Sequence, residues 1–451
     1  MEPGQPGDRG PGPSIAWLSV PDGEVVRDEA TLAFAAQDFG HLVHRRPAAV
    51  VRPVSLADLT AVMTFAGEHG LSVSARGAGH SPFGQEQAEG GIVLDMRTMP
   101  TVREVDGETA GVDAGAHWRE VLDLTLPHGL TPPVLTDYLE LTVGGTLVVG
   151  GIGGAAHHHG TQTDNVLELE VVTGTGEVVT CGPGSDLFDA VRGGLGLCGV
   201  ITKARLRLVP APPTARRWKL YYRSLDTFLA DQRTVVRDGR FDYLEGQLLL
   251  DEGEWTYLLE AVTYSTASLD DLRFERMEVE DSTYFDFLNR MAEGEAALRA
   301  EGSWFHPHPW LNVFLPDEVV GRVVADTLAT TRREDLGGTG LVMLYPVRAS
   351  ALNTPLLRVP AGELVWLFSL LRTGKPADPI ENARLTTLNI RLYQQAKALG
   401  GTVYPSNSLP MTPADWADQF GPAWDALTTA RHLHDPHTLF GSGHSLRPPP
   451  P

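Results

Sequence analysis

The sequence is poor in cysteine and in positive charge. Among 451 residues there are only two cysteines, Cys181 and Cys198, too few for a disulfide framework or a thiolate metal cage. Lysine and arginine number 36 against 57 aspartates and glutamates, which gives a net charge of −21. Such a surface repels nucleic acid and anionic lipid. The predicted partner is therefore a small-molecule substrate, with no nucleic acid and no membrane.

Targeting and membrane signals are also missing from the sequence. The opening MEPGQPGDRGPGPSIAW lacks the basic-then-apolar pattern of a signal peptide. No apolar run approaches the length of about 18 residues that a membrane span requires. These observations predict a cytoplasmic protein. The first dozen residues and the closing RPPPP are rich in proline and are predicted to bury nothing.

The first half of the chain predicts a strand, a helix and a strand that run into a glycine turn. The apolar AVVRPV at 49–54 predicts a strand, and Ser55 with Asp58 forms a capping box for a helix ending at His69-Gly70. Alternation over 71–75 predicts the next strand, and ARGAGHSPFGQ at 75–85 follows directly. Further strands are predicted at 91–96, within 166–180 and at 199–213, and helices within 118–129 and at 185–194.

Two glycine-rich segments resemble phosphate-binding motifs only superficially. GLGLCG at 194–199 follows a predicted helix and opens a strand, whereas a dinucleotide fingerprint follows a strand and opens a helix. GIGG at 151–154 follows LVV, interpreted as an apolar strand, and continues into AAHHHGTQTDN without a Rossmann helix. Two alternatives stay open for it: a turn with solvated histidines, or a diphosphate cradle that is not Rossmann. Three adjacent histidines cannot all face one ion from a regular element, so no metal is predicted.

The second half predicts an antiparallel sheet covered by helices. PAPP at 210–213 is a plausible domain boundary. Beyond it, apolar strand-like segments such as YLEGQLLL, WTYLLEAVTY and GLVMLYPV alternate with helical stretches. The fold class is therefore predicted as α+β.

The ordered set of motifs resembles the FAD-binding PCMH-type domain of the vanillyl-alcohol oxidase superfamily, and within it most closely the cytokinin dehydrogenases. The resemblance is carried by ARGAGHSPFGQ, by the segment from TDYLELTVGG to HHHGTQTDN, and by FDYLEG, HPWLNVFLP and DPHTLFGSGH in the second half. It implies a FAD-binding domain of two α+β subdomains plus a substrate domain. The predicted divisions are an N-terminal segment 1–40, the FAD domain 41–212, the substrate domain 213–403 and a C-terminal return 404–451.

The resemblance also implies a covalently held cofactor. In this family the histidine of the G-H-S turn is bonded to the 8α-methyl carbon of FAD, and His80 occupies that position. A tether needs a neutral imidazole in a loop without obstructing side chains. For a lone Gly-His pair, a packed histidine would be the simpler interpretation; the surrounding motifs favour the tether. The implied cofactor contacts are His80, Ala75, Gly77, Ala78, Gly79, Ser81, Gln85, Asp137, Thr142, Val148, Ile152, Val200, Ile201, Tyr404 and His444.

The resemblance implies two acidic residues that act on the substrate, Asp137 as the base and Glu245 as a contact for the adenine part. Asp137 matches the family's catalytic aspartate, which accepts the proton of the substrate amine as hydride leaves the adjacent carbon for flavin N5. Without that match, an aspartate before a tyrosine in a loop is more typical of a turn. Glu245 matches a glutamate at the pocket mouth of the plant enzymes. A charge inside YLEGQLLL fits a solvent face or a ligand contact, and both alternatives stay open.

The predicted activity is oxidation of the C–N bond of a secondary amine to an imine, which water then hydrolyses. The default substrate class is a cytokinin-like N6-substituted adenine, and the electron acceptor is dioxygen or a quinone. One alternative is a flavin oxidase of the same fold acting on an alcohol, a sugar or a natural-product intermediate. Another is a non-catalytic flavin carrier, which would have no reason to keep Asp137.

The chain departs from the family at several positions. Val148-Val149 replaces a common Ser-Asn pair, Tyr404-Pro405 replaces Tyr-Leu-Pro, and His444 replaces a glutamine. Glu140 stands where berberine-bridge-type relatives place a second flavin-binding cysteine, which disfavours a doubly attached flavin. These departures concern the C-terminal FAD contacts and the fine shape of the pocket.

Overall fold

Three large β-sheets and a two-stranded ribbon organise residues 15–447, the part of the chain that the computed structural model describes. The proline-rich ends predicted to bury nothing lie outside these residues, apart from Arg447. The first sheet and its helices comprise β1 (Glu24–Val26), α1 (Glu29–Ala35), β2 (Ala49–Arg52), α2 (Leu56–His69), β3 (Val73–Arg76) and β4 (Ile92–Asp95). Its strand order is β1-β2-β4-β3, with β2, β4 and β3 parallel and β1 antiparallel to β2.

Helix α2 confirms the boundaries predicted from its caps. The Ser55 hydroxyl accepts a hydrogen bond from the Asp58 amide, and the Asp58 carboxylate accepts one from the Ser55 amide in return. The helix ends at Gly70, whose φ of 64° is left-handed and suits a glycine. Its buried face, which includes Leu59 and Met63, packs on the first sheet. The helix therefore fixes β3 and the glycine turn that follows it.

The second sheet has the order β5-β6-β10-β8-β9 and is antiparallel throughout. Its elements, with the ribbon formed by β7 and β11, are β5 (Val102–Asp106), β6 (Thr109–Asp113), α3 (Trp118–Thr125), β7 (Leu130–Thr131), α4 (Val143–Leu147), α5 (Ala156–His159), β8 (Val166–Val172), β9 (Val178–Cys181), α6 (Asp186–Val191), β10 (Val200–Arg207) and β11 (Val209–Pro210). GLGLCG lies between α6 and β10. Its context is therefore helix then strand, as the sequence predicted.

The structure corrects the prediction of a strand at LVV. Residues 143–147 form helix α4, which Thr142 precedes as N-cap and Val148 ends. Val143 and Leu147 are buried one turn apart, and the Trp118 indole donates to Thr146 Oγ1 at 3.0 Å. A short apolar run fits a strand and a buried helix equally well, so its tertiary contacts decide.

The histidine segment also differs from its predicted form. AHHH makes the single helical turn α5, where no helix was predicted. His157 is 1% exposed, and its two ring nitrogens lie 2.9 Å from Gly154 O and 3.0 Å from Phe241 O. The alternative of solvated histidines is therefore wrong for His157, which links the glycine segment to the second half of the chain.

The third sheet confirms the predicted antiparallel sheet covered by helices. Its order is β15-β12-β14-β13-β17-β18-β16-β19. The elements of this half are β12 (Thr214–Tyr222), α7 (Leu225–Asp238), β13 (Tyr243–Asp251), β14 (Glu254–Thr263), β15 (Arg276–Thr283), α8 (Tyr284–Leu288), α9 (Met291–Glu301), β16 (Trp310–Pro316), α10 (Asp317–Thr330), α11 (Arg333–Leu336), β17 (Leu341–Arg348), β18 (Leu364–Leu371), α12 (Pro379–Ala398), β19 (Thr402–Val403), α13 (Pro413–Phe420) and α14 (Trp424–His434). The register of β13 on β14 sets Glu245 directly opposite Glu260. This pairing brings two carboxyl groups together in the sheet.

Residues 15–447 were predicted to contain neither a membrane span nor a metal site. None of the helices in this range has the length and apolar character needed to cross a bilayer. The same residues contain no cluster of three histidine, cysteine, aspartate or glutamate side chains suited to hold a metal ion.

Candidate active site

A cavity of about 440 Å³ lies where residues of all three sheets meet. Every residue singled out from the sequence lines it: Ala75, Gly77, Ala78, Gly79, His80, Ser81, Gln85, Asp137, Thr142, Val148, Ile152, Val200, Ile201, Glu245, Tyr404 and His444. They come from segments that are distant in sequence, so the fold gathers them into one place. Four apolar side chains of the third sheet also line it: Leu341, Met343, Leu367 and Leu371.

The glycine turn after β3 is held in place by hydrogen bonds to Asp38. The Asp38 carboxylate accepts hydrogen bonds from the Ser81 hydroxyl at 2.9 Å and from the Gly84 amide. Gly79 has a φ of 76°, a left-handed conformation that glycine adopts without strain. Its carbonyl accepts a hydrogen bond from the Phe39 amide at 2.8 Å. The turn is thereby fixed with His80 at the cavity wall.

The His80 imidazole is held by aromatic contacts rather than by hydrogen bonds. It stacks on Phe39 with ring centroids 4.0 Å apart, and Tyr138 and Trp304 approach to 5.0 and 5.9 Å. Burial, aided by nearby His308 and Arg299, lowers the pKa of His80 to about 3. Within residues 15–447 no hydrogen-bond partner reaches its ring nitrogens. The ring is therefore neutral and has free nitrogen atoms, as a nucleophile requires.

The second glycine segment packs directly on the first. A Cβ at Gly77 would lie 2.0 Å from Thr142 Oγ1, so only glycine permits this approach. The C-terminal return joins the same wall, because Tyr404 Oη accepts a hydrogen bond from the Gly151 amide at 3.2 Å. His444, also from the C-terminal return, is buried and lines the cavity, and burial lowers its pKa to about 4.

Gln85 lines the cavity, but its amide is already engaged by protein. Its Nε2 donates to Asn407 O at 2.9 Å, and its Oε1 accepts from the Phe83 amide at 2.7 Å. The structure therefore gives Gln85 a role in joining the glycine turn to the C-terminal return.

A cluster of charged groups around Asp137 also borders the cavity. Asp137 Oδ1 accepts hydrogen bonds from Tyr243 Oη at 2.6 Å and from Arg290 Nη2 at 2.7 Å. Arg290 Nη2 also lies 3.6 Å from Glu245 Oε2, and its Nε lies 3.3 Å from Glu260 Oε1. Both glutamates are buried. Of the two alternatives for Glu245, the solvent face is therefore wrong, and the side chain borders the cavity instead.

The carboxyl groups of this cluster differ in protonation. Burial alone would raise the pKa of Asp137, but the charge of Arg290 and the hydrogen bonds from Glu245, Tyr243 and Arg290 hold it below its ordinary value. For Glu245, burial and then the charge of Asp137 raise the pKa well above its ordinary value. A protonated Glu245 can donate its hydrogen to Asp137. The pair is thus one ionised and one neutral carboxyl group.

Comparisons with known proteins match both halves of the chain. Residues 47–182 match the family model described as FAD binding domain, and residues 261–446 match that of cytokinin dehydrogenase 1, FAD and cytokinin binding. An uncharacterized oxidoreductase, ORF5 in the fasciation locus of Rhodococcoides fascians, is 40% identical over 93% of this chain and 98% of its own length. Cytokinin dehydrogenase 9 of Oryza sativa subsp. japonica is 34% identical over 91% and 88%, and cytokinin dehydrogenase 4 is 34% identical over 95% and 90%. The chain belongs to the cytokinin dehydrogenase family.

As a member of this family the chain is an FAD-dependent oxidoreductase with the PCMH-type fold. The cavity suits such a cofactor. Its wall carries the neutral His80 imidazole, whose ring nitrogens have no hydrogen-bond partner within residues 15–447. A Cβ at Gly196, elsewhere in the lining, would meet no atom of the described residues within 4 Å apart from its chain neighbours. A cavity that combines a neutral imidazole with open space beside a glycine of its lining fits a large ligand such as the flavin cofactor.

Several residues of the site were not predicted from the sequence. Glu260 and Arg290 line the cavity, whereas Phe39 and Trp304 contact His80 and Tyr243 contacts Asp137. A signal existed for Tyr243, because it lies two residues before Glu245 and alternate strand residues share a face. The others are brought to the site by tertiary packing, and no local pattern marks them.

Proposed function

We propose that this cytokinin dehydrogenase family member oxidises the C–N bond of a secondary amine to an imine. An N6-substituted adenine is the default substrate class, as the names of the plant relatives suggest. The observation that supports the proposal most is Asp137. The pKa of this carboxyl group is held below its ordinary value, and the group shares one cavity with His80 and with apolar side chains of the third sheet. An ionised acceptor suits an N–H donor.

Asp137 would accept a hydrogen bond from the substrate amine and then take its proton. The C–H bond next to nitrogen breaks with its electron pair, and the nitrogen lone pair left by the proton forms the C=N bond. Bound FAD supplies the two-electron acceptor for that hydride. Water then adds to the imine and releases an aldehyde and a primary amine. The apolar side chains of Leu341, Met343, Leu367 and Leu371 would receive an apolar substituent of the amine.

His80 would hold the cofactor covalently through the flavin 8α carbon. Its neutral imidazole and the aromatic stack that fixes its orientation support this assignment. The test is the mass of the denatured polypeptide, together with its yellow colour after acid precipitation. We expect the added mass of one FAD in the natural protein and none in His80→Ala. Flavin that remains equally fixed in His80→Ala would overturn the tether.

The reaction class is tested by anaerobic bleaching of the flavin with a panel of N6-substituted adenines, simple secondary amines, alcohols and sugars. We expect bleaching by the amines, and Asp137→Asn should slow it severely while the yellow colour persists. Bleaching by alcohols or sugars alone would refute the amine assignment. An unchanged rate in Asp137→Asn would remove Asp137 from the mechanism.

A further inference from the structure

One guanidinium group, that of Arg290, contacts every carboxyl group of the cavity cluster. It reaches Asp137 and Glu245 through Nη2 and Glu260 through Nε. Its side chain is 13% exposed. Among the described residues, it is the one basic side chain that forms an ion pair with Asp137. The negative charge of Asp137 is therefore balanced by Arg290.

The contacts of Arg290 argue against a role in binding an anionic substrate. Nη1 donates to Phe287 O at 3.3 Å, and Nη2 donates to Asp137 and to the Tyr243 hydroxyl. The guanidinium carbon also lies over the rings of Tyr243 and Phe287, at 4.9 and 4.7 Å from their centroids. With its donors directed at protein groups, Arg290 has little capacity left for a ligand carboxylate or phosphate.

Other groups facing Asp137 cannot replace this charge. Around the cluster, the titratable and charged groups are Tyr243 and Glu245 on β13, Glu260 on β14, Tyr264 after it, Tyr345 on β17 and, behind Glu260, Arg217 on β12. Arg217 contacts Glu260 at 3.4 Å and also binds Glu280. Within residues 15–447 it forms no ion pair with Asp137. Without Arg290, the carboxyl groups would face one another with no shared counter-charge.

Arg290 also connects the base to the surface helix α9. It is the N-cap of α9, a helix in which no residue is buried, and the next residue, Met291, lines the cavity. The helix is attached to the cavity wall through Glu295, which accepts a hydrogen bond from Tyr138 Oη at 2.7 Å. The position of the guanidinium is therefore set where α9 begins.

We propose that Arg290 is a positioning residue that orients the Asp137 carboxylate toward an N–H donor in the cavity and keeps it ionised there. This inference rests on the proposed function, because it assigns Arg290 through the base that the function uses.

The test compares Arg290→Met and Arg290→Lys with a matched control, Arg273→Met. Arg273 likewise pairs with a buried carboxylate, Asp231, at 3.0 Å, but it does not line the cavity. The measurement is the rate of anaerobic flavin reduction by an amine as a function of pH. Loss of a neighbouring positive charge raises a carboxyl pKa by about 1 to 3 pH units. We expect the acid limb of the Arg290→Met profile to move up by that amount, with the rate recovering at higher pH.

Arg290→Lys keeps the positive charge, so the acid limb should lie close to its position in the natural protein. The rate should still fall below the natural one, because lysine lacks the planar guanidinium group with its fixed donors. Arg273→Met should leave the limb in place. A uniform loss of rate at every pH in Arg290→Met, with no movement of the limb, would indicate a merely structural role and overturn the proposal.

A second measurement separates this outcome from failure of the proposed function. The absorbance of the oxidised flavin is titrated with acid, without substrate, in the natural protein, in Arg290→Met and in each combined with Asp137→Asn. We expect a spectral step that moves to higher pH in Arg290→Met and disappears with Asp137→Asn. A step that depends on Asp137 but stays fixed in Arg290→Met refutes the role of Arg290, even if no amine proves to be a substrate.

Discussion

Replacement of Glu245 by glutamine and by leucine distinguishes a neutral from an ionised role for this residue. Burial and the charge of Asp137 raise the pKa of Glu245 well above its ordinary value, which favours a neutral side chain that can donate to Asp137. Glutamine keeps a donor of similar shape, whereas leucine keeps only the volume. A hydrogen bond to an ionised group contributes about 1.5 to 3 kcal/mol, which corresponds to a factor of about 10 to 100 in rate if all of it is lost.

We therefore expect Glu245→Leu to reduce flavin reduction by amines roughly 10- to 100-fold. Glu245→Gln should stay near the natural rate. The assay is anaerobic stopped-flow reduction at neutral pH, with Glu280→Gln on the exposed β15 edge as the control. If Glu245→Gln is as slow as Glu245→Leu, the carboxyl group is needed in its ionised form, and the assignment of one neutral and one ionised carboxyl is wrong.

The pH dependence of Glu245→Gln supplies an independent check. A buried acid with a raised pKa contributes stability that is present below its unfolded-state pKa and is lost as pH rises through its folded pKa. Relative to the natural protein, Glu245→Gln should therefore gain stability against unfolding as the pH rises. The same substitution should remove any alkaline limb of activity that reports deprotonation of Glu245. Thermal unfolding over a pH series would contradict this if the two proteins lost stability in parallel.

Further predictions concern the histidine turn, the second glycine segment and the thiols. Phe39→Ala should lower the free energy of unfolding by about 3 to 5 kcal/mol, because Phe39 is buried. It should also lower the fraction of covalently held flavin, because Phe39 stacks on His80. Denaturant unfolding that is unchanged in this variant would contradict the first expectation. Gly153→Ala should lower flavin content, since a Cβ there would lie 2.0 Å from a backbone carbonyl oxygen. Gly338→Ala should not, because an added Cβ would meet nothing within 4 Å and the backbone there is not left-handed. Both cysteines are buried, with pKa values raised to about 11 and about 12 mainly by burial, so a thiol reagent should label neither until the protein unfolds.

Local chemistry made part of the fold predictable from the sequence. The capping box of Ser55 and Asp58 and the left-handed Gly70 are encoded within a few residues, and they locate α2 and then the turn of His80. Helix α4 was not predictable in this way. Its apolar residues fit a short strand equally well, and contacts with distant Trp118 decide between the two forms.

In the candidate site, too, residues within local motifs could be predicted, and residues brought in by tertiary contacts could not. Family motifs pointed to His80, Asp137 and Glu245, but not to the residues that set their protonation. Glu260 lies opposite Glu245 only through the register of β13 on β14, and Arg290 arrives from the start of a surface helix. No periodic pattern in the sequence indicates either of these two contacts.

These unpredicted residues allow His80 and Asp137 to hold different charge states in the same cavity. Removal of water favours the neutral form of every titratable group, which suits His80 as a nucleophile but opposes ionisation of Asp137. One cavity therefore cannot provide both a neutral imidazole and an ionised base through burial alone. The aromatic rings around His80 do not counteract the effect of burial on its pKa. At Asp137, Arg290 and the Tyr243 hydroxyl reverse the effect of burial on the pKa. The surroundings of His80 and of Asp137 thus impose opposite electrostatic conditions within one cavity, which the proposed flavin tether and the proposed proton abstraction would both need.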